Sequence, residues 1–360
     1  MELSSIKRVM VRVPNWVGDA VIAVPALREL RRVLAAAHVT FVARPWVSGL
    51  FDGEGLADSV IAIPGGRGPR SSASHFIGSA SQFVRAARLV RRERFDLAVL
   101  LQNAFGAALL ARAGGARLIA GYPTDARRML LDLAVGFEPD YKTRHQVFYY
   151  LNIASRLEQA LSGESHTHFE NANPRLQATE DQKERARRLL SQDDTRRDRF
   201  VVINPGATNS RAKQWLAERF AETADRLAAR DGFQPVIVGT AGDIQTANEV
   251  ASRMQTPALM LAGQTTISEL KGLLALASLV ISNDTGTAHV SAALGVPTVV
   301  VFGPTDHTST RPLSDVAAVV RHQVECSPCM LRDCPIDHRC MTRIEVDKVY
   351  HVARELFGVR

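Results

Sequence analysis

The sequence predicts an α/β chain of two Rossmann-like, doubly wound parallel-sheet domains facing a cleft, and three observations carry that prediction. Short β-rich apolar runs alternate with segments of helical periodicity through both halves. A polar stretch at residues 162–173, ending at Pro174, interrupts the alternation near the middle. The chain has 360 residues, 46% hydrophobic and 22% charged, which suffices for two sizeable cores.

Residues 6–13 form a β-rich run that Pro14-Asn15 breaks, and residues 19–34 carry apolar side chains at helical spacing with Asp19 as the N-cap. Residues 39–43, 59–63 and 96–101 read as buried strands; residues 76–92, 104–113 and 144–161 read as helices. Past the polar linker a helix at 180–190 opens the second half. Its strands are expected at 200–204, 235–239, 258–262, 278–282 and 298–302, and its helices at 216–230, 243–253, 268–276 and 285–294. Residues 346–356 read as a closing helix. The expected division is a first domain over 1–170, a second over 171–345 and the closing segment over 346–360.

The formal net charge is +7, and arginines cluster in the first half: Arg28, Arg31 and Arg32; Arg85, Arg88, Arg91, Arg92 and Arg94; Arg127, Arg128, Lys142 and Arg144. Such clusters fit an anionic partner, either a phosphorylated acceptor, an acidic lipid surface or nucleic acid, and equally fit solvated helix faces. No aromatic RNA motif, zinc-finger spacing or recognition-helix pattern accompanies them, which disfavours nucleic acid. The chain has no apolar run of about 18 residues and no secretory pattern at its start, so a cytoplasmic protein with at most peripheral membrane contact is expected.

Three stretches carry candidate chemistry. Ser282-Asn283-Asp284-Thr285-Gly286-Thr287-Ala288-His289 follows a buried strand and runs into a helix, whose first amides favour an anion. There Asp284 can accept hydrogen bonds from sugar hydroxyls and His289 can reach a phosphate. Asn204-Pro205-Gly206-Ala207-Thr208-Asn209-Ser210-Arg211-Ala212-Lys213-Gln214-Trp215 also follows a strand, and Lys213 supplies a positive charge for a diphosphate. Both stretches lie at carboxyl ends of strands in one half and should converge. The third, Val13-Pro14-Asn15-Trp16-Val17-Gly18-Asp19-Ala20, presents Asp19 as a base able to deprotonate an acceptor hydroxyl, or as a plain helix cap. Neither a Walker sequence nor a GxGxxG fingerprint occurs, which disfavours a nicotinamide-dependent dehydrogenase.

Taken in chain order, from residues 13–20 through 204–215 to 282–289, the three stretches, followed by a cysteine-containing tail, resemble the bacterial lipopolysaccharide heptosyltransferases over nearly the whole chain, most closely the heptosyltransferase II branch. The resemblance implies the glycosyltransferase-B (GT-B) architecture and inverting transfer of heptose from ADP-heptose to a lipid-linked, phosphorylated core oligosaccharide. It also implies that no cofactor is required for catalysis. Carried over by position, Asp19 resembles the general base, and Thr208, Asn209 and Lys213 the phosphate-contacting stretch. Asp284 resembles the residue that holds heptose hydroxyls; Thr285, Gly286, Thr287 and His289 those around the diphosphate. Asp243 is aligned with the ribose. Asn15, Arg127, Arg128 and Arg144 are assigned to the acceptor, the arginines because they follow the fourth strand. A related transferase using another ADP- or UDP-sugar remains an alternative, as does a non-enzymatic nucleotide- or nucleic-acid-binding protein.

Cys326, Cys329, Cys334 and Cys340 are spaced C-x2-C-x4-C-x5-C. Such a set reads as a structural zinc or Fe–S knuckle, or as four ordinary thiols.

Overall fold

The computed structural model describes residues 5–64, 73–191, 199–208 and 210–358, with side chains of the helix at 73–92 described from residue 80 onward. Asn209 therefore lies outside the described residues. The chain divides into two compact units, Met1–Ala172 and Asn173–Arg360.

In the first unit the chain runs β1 (Arg8–Arg12), α1 (Val17–Ile22), α2 (Val24–Val33), β2 (His38–Ala43), α3 (Pro45–Ser48), β3 (Ser59–Ala62), α4 (Ala73–Arg92), β4 (Leu97–Leu100), α5 (Phe105–Ala113), β5 (Leu118–Gly121), β6 (Leu133–Ala134) and α6 (Gln146–Ser162). The strands form one sheet in the order β3-β2-β1-β4-β5-β6, and every neighbouring pair is parallel. Central strands β1 and β4 are nearly or wholly buried, as a sheet covered on both faces requires. Strand β3 was expected to be buried as well. It lies at the sheet edge, and its side chains alternate between half-buried and exposed.

The expected single helix at 19–34 is two helices, α1 and α2, joined at Ala23. Pro25 sits in the first turn of α2 and has no N–H to continue the α1 ladder. Asp19 is consequently not an N-cap. Trp16 holds that place without a side-chain hydrogen bond, and Asp19 stands in the first turn of α1, where a carboxylate suits the helix dipole.

The second unit comprises α7 (Glu180–Leu190), β7 (Phe200–Asn204), α8 (Ala217–Asp231), β8 (Gln234–Ile237), α9 (Ile244–Arg253), β9 (Leu259–Met260), α10 (Ile267–Leu276), β10 (Leu279–Asn283), α11 (Gly286–Ala293), β11 (Thr298–Phe302), α12 (His307–Thr310), β12 (Ala317–Arg321), α13 (Arg339–Thr342) and α14 (Val346–Gly358). Its parallel sheet has the order β12-β11-β10-β7-β8-β9. Helix α7 begins with a full capping box between Thr179 and Gln182 and packs on α10. Gly272 permits that approach, because a Cβ there would stand 2.1 Å from the Gln182 carbonyl oxygen.

Val346, Val349, Tyr350 and Ala353 of α14 join Phe220, Val299 and Val301 in one core cluster. Each such burial is worth roughly 1.5–3 kcal/mol for the larger side chains, so α14 is an integral part of the second unit.

Counted within each unit, both sheets have the same strand order, with the first strand beside the fourth. That arrangement creates a switch point where successive connections leave in opposite directions, and ligands of such sheets bind beyond the carboxyl ends there. The switch points lie between β1 and β4 in one unit, and between β7 and β10 in the other.

Candidate functional site

Strands β7 and β10 end in asparagines, and these tie their loops together. Asn204 donates from Nδ2 to Thr285 Oγ1 at 2.8 Å, while Asn283 donates from Nδ2 to the Pro205 carbonyl at 2.8 Å. Asn283 Oδ1 accepts the Trp215 backbone N–H at 3.0 Å. Both asparagines are nearly or fully buried, where every polar atom needs a partner.

This frame brings the two expected second-half stretches together. Lys213 Nζ donates to Asp284 Oδ2 at 2.7 Å, and Thr305 donates its hydroxyl hydrogen to the same oxygen at 2.7 Å. Loops after β7, β10 and β11 thus meet at one carboxylate. The Lys213 side chain keeps 28% exposure against 7% for Asp284, so the ammonium rather than the carboxylate is presented to solvent.

Helix α11 starts at Gly286, with Thr285 as an extended N-cap whose hydroxyl makes no cap hydrogen bond and instead accepts from Asn204. The first amides of the helix follow Asp284 of the pair directly in sequence. Thr285 and Gly286 are half-buried, whereas Thr287 and His289 are buried. His289 occupies the fourth helical position.

Thr208 and Asp243 also meet, across a contact of 3.4 Å between Thr208 Oγ1 and Asp243 Oδ2. Asp243, which the resemblance aligned with the ribose, is held by its own neighbours. Its carboxylate is 4% exposed and accepts from the Thr240 N–H at 2.8 Å and the Thr240 hydroxyl at 2.7 Å. A Cβ at Gly206 would stand 2.3 Å from its Cγ, so Asp243 serves to hold the loop after β8 against the loop after β7.

In the first unit the loop after β1 is anchored from below. Arg12, 2% exposed, donates to the carbonyls of Val13 and Val42 and to Asn15 Oδ1, and Trp46 Nε1 donates to the Asn15 carbonyl at 2.8 Å. Burial, helped by the charge of Arg44, lowers the Arg12 pKa to about 9. Asn15 is thereby fixed as the turn residue, with its side-chain oxygen engaged. Asp19 follows one turn later, half-buried, and its charge reaches the buried Tyr150 phenol of α6, whose pKa is raised well above the ordinary value, by burial first.

The arginines expected to form a basic acceptor face divide. Arg127 is fully buried and follows β5, not the fourth strand. It donates to the carbonyls of Tyr122 and Gln102 and, at 2.7 Å, to Asn103 Oδ1, so it stitches the loops after β4 and β5 together and is not a surface contact. Arg128 is exposed, and Arg144 is half-buried, paired with Asp140 and lying over the Phe148 ring. Arg31 pairs with Asp58, and Arg32 with Glu29 and Glu158. Arg85, Arg88, Arg91 and Arg92 are exposed on α4.

Among the described residues no three His, Cys, Asp or Glu side chains converge as metal ligands. Cys326 is exposed, Cys329 and Cys334 are half-buried, and Cys340 is buried in the second unit's core, where desolvation raises its pKa to about 11. Cys326, Cys329 and Cys334 lie near enough for their charges to add to that rise.

Asn204 and Asn283 lie within the two quoted stretches but were given no role there, and Thr305 lies outside them. Thr305 had a signal: Gly303-Pro304-Thr305 directly follows an apolar strand, as Pro205-Gly206 does.

Comparison with known proteins agrees with this geometry. The model of glycosyltransferase family 9 (heptosyltransferase) matches residues 83–339. Lipopolysaccharide heptosyltransferase 2 of Salmonella typhimurium is 28% identical over 328 residues, covering 87% of this chain and 88% of the relative. Lipooligosaccharide heptosyltransferase 2 of Campylobacter jejuni is 27% identical over 356 residues, covering 97% and 98%. Among solved structures, ADP-heptose LPS heptosyltransferase II of Escherichia coli shares the fold with a TM-score of 0.79 at 24% identity over 98% of this chain and 99% of that one. A family 9 glycosyltransferase from Veillonella parvula gives 0.81 at 23% identity over 100% and 99%. With the family model spanning well over half its length, the chain belongs to glycosyltransferase family 9, the heptosyltransferase family.

Proposed function

We propose that this glycosyltransferase moves heptose from ADP-heptose to the phosphorylated inner core of lipopolysaccharide, with inversion at the anomeric carbon. The observation that carries the donor half of this reading is the Lys213–Asp284 pair beside the start of α11, at the β7/β10 switch point. The acceptor hydroxyl attacks the anomeric carbon as the bond from that carbon to the diphosphate oxygen breaks. Asp19, beyond the carboxyl end of β1, takes the hydroxyl proton. Negative charge grows on the departing ADP, and the Lys213 ammonium with the first amides of α11 opposes it without reorganisation. Asp284 holds Lys213 in place and offers its other oxygen to sugar hydroxyls. Since these groups supply the positive charge, transfer is proposed to need no metal ion.

The relatives' names carry the donor and acceptor classes to this proposal. Among the described residues no helix is long and apolar enough to cross a membrane. Contact with a lipid-borne acceptor is proposed to be peripheral, through exposed Arg128 and the arginines of α4, each worth about 1 kcal/mol near an anionic surface.

A transfer assay with a truncated, phosphorylated core acceptor tests the reading. Turnover with ADP-heptose, unchanged by EDTA, is expected. Turnover only with a UDP-sugar, or only after adding a divalent cation, would replace it.

A further inference from the structure

The cysteine-bearing segment between β12 and α13 takes no part in the proposed chemistry, yet it holds the turn that carries Lys213. Ala212, the residue before Lys213, is 3% exposed, and both of its backbone polar groups go to this segment. Its N–H donates to the Arg332 carbonyl at 2.9 Å, and its carbonyl accepts from His338 Nε2 at 2.6 Å. Because the partner is a carbonyl, Nε2 must carry the hydrogen. Ser210 adds a tie from its hydroxyl to the carbonyls of Leu331 and Arg332, each at 3.2 Å.

The same segment grips the other member of the pair. The N–H groups of Cys329 and Met330 both donate to the Pro304 carbonyl, at 3.0 and 2.9 Å, and Ser327 donates to the Gly303 carbonyl at 2.6 Å. Pro304 precedes Thr305, which donates to Asp284. Contact is close enough that a Cβ at Gly303 would fall 2.3 Å from Met341 Sδ. His338 has φ at 57°, in the left-handed region that is uncommon for non-glycine residues but that histidine visits more often than most.

We infer that His338 is a positioning residue for transfer: through the Ala212 carbonyl it fixes where the Lys213 backbone stands relative to Asp284. A lysine side chain is long and flexible, so the location of its Cα sets which oxygens its ammonium can meet. A displacement of about 1 Å at a reacting group can lower rate by about 10²-fold.

The inference rests on the reading that Lys213 faces the donor diphosphate, and the test separates the two. Full-length His338→Ala and His338→Gln carry the same left-handed strain, but glutamine can donate from Nε2. The alanine variant is expected to weaken ADP binding and lower kcat/KM for the donor about tenfold, the equivalent of one lost charge-independent hydrogen bond. Acceptor KM should stay put, and the glutamine variant should recover to within about threefold. In a Lys213→Ala background, His338→Ala should change ADP affinity no further, because the two act through one contact. Equal losses of ADP affinity in both backgrounds would make His338 a general structural support and overturn the inference. Should Lys213→Ala itself leave ADP affinity and kcat at wild-type levels, the donor-site reading fails instead. If His338→Ala does not fold, the same cycle is run with Ser210→Ala, which removes the other side-chain tie to the segment. Full additivity there also overturns the inference.

Discussion

Lys213 Nζ stands 2.7 Å from Asp284 Oδ2, and this contact closes a gap of 71 residues between the loops after β7 and β10. Thr305 donates to the same carboxylate oxygen. A nearly buried carboxylate with two donors fixes the direction of an ammonium that remains partly in solvent. Under the proposed mechanism that charge faces the leaving diphosphate, and the pairing makes each partner's loss felt by the other.

Lys213→Ala should therefore raise donor KM and lower kcat together, since part of its effect belongs to charge that exists only in the transition state. A combined loss of about 10²–10³ in kcat/KM is expected. Steady-state kinetics with ADP-heptose decide the matter, and a variant equal to wild type in both constants would place Lys213 outside the site.

Asp19→Asn keeps the shape and polarity of the first turn of α1 while removing the base. Turnover should fall about 10²–10⁴-fold, with ADP affinity nearly unchanged. If the variant retains more than about a third of wild-type kcat, well above the lower limit for a general base, Asp19 acts only through the helix dipole.

Gly206→Ala would place a methyl group on the Asp243 carboxyl carbon, at 2.3 Å. Overpacking of this kind costs about 1–3 kcal/mol, and relief requires the loop after β7 or after β8 to move. Both a lower melting temperature and weaker ADP binding are expected, because Thr208 rides on the same loop. Unchanged melting and affinity would mean that Asp243 has room to turn aside.

Acid should loosen the first unit through Glu158. Burial alone would push this carboxyl up, but hydrogen bonds from Arg32, the His166 N–H and Thr167, with the Arg32 charge, hold it below its ordinary 4.5. A lowered folded-state pKa contributes stability that is present above about pH 4.5 and is lost as pH falls through the lower folded value. Glu158→Gln should lower the melting temperature at pH 7, by the equivalent of about 1–3 kcal/mol, and flatten the decline on going to pH 3.5. Parallel acid dependence in the two proteins would exclude Glu158 as the source.

Sequence alone determined the alternation of strands and helices, since strands buried on both faces must be continuously apolar and helices must repeat near 3.6 residues. It also picked out the two second-half stretches that the fold brings together, because a strand running into a polar, small-residue turn and then a helix is a local signal. Strands β5 and β12 went unread, and β6, with 2 residues, left too few for any periodicity to register.

What only the tertiary structure decided is pairing at a distance. Arg127 reads as a solvated charge in a basic run, yet it is buried because carbonyls of Tyr122 and Gln102 and the amide of Asn103 surround it. Asp243 reads as the start of a helix, and only the fold shows that two glycines and Thr240 enclose it. The cysteine segment reads as a metal knuckle or as four ordinary thiols, and only the fold shows that its hydrogen bonds run to Ala212 and Pro304. Local composition records which groups are polar. Which donor meets which acceptor depends on strand order, and a sheet sets that order between residues far apart in the chain.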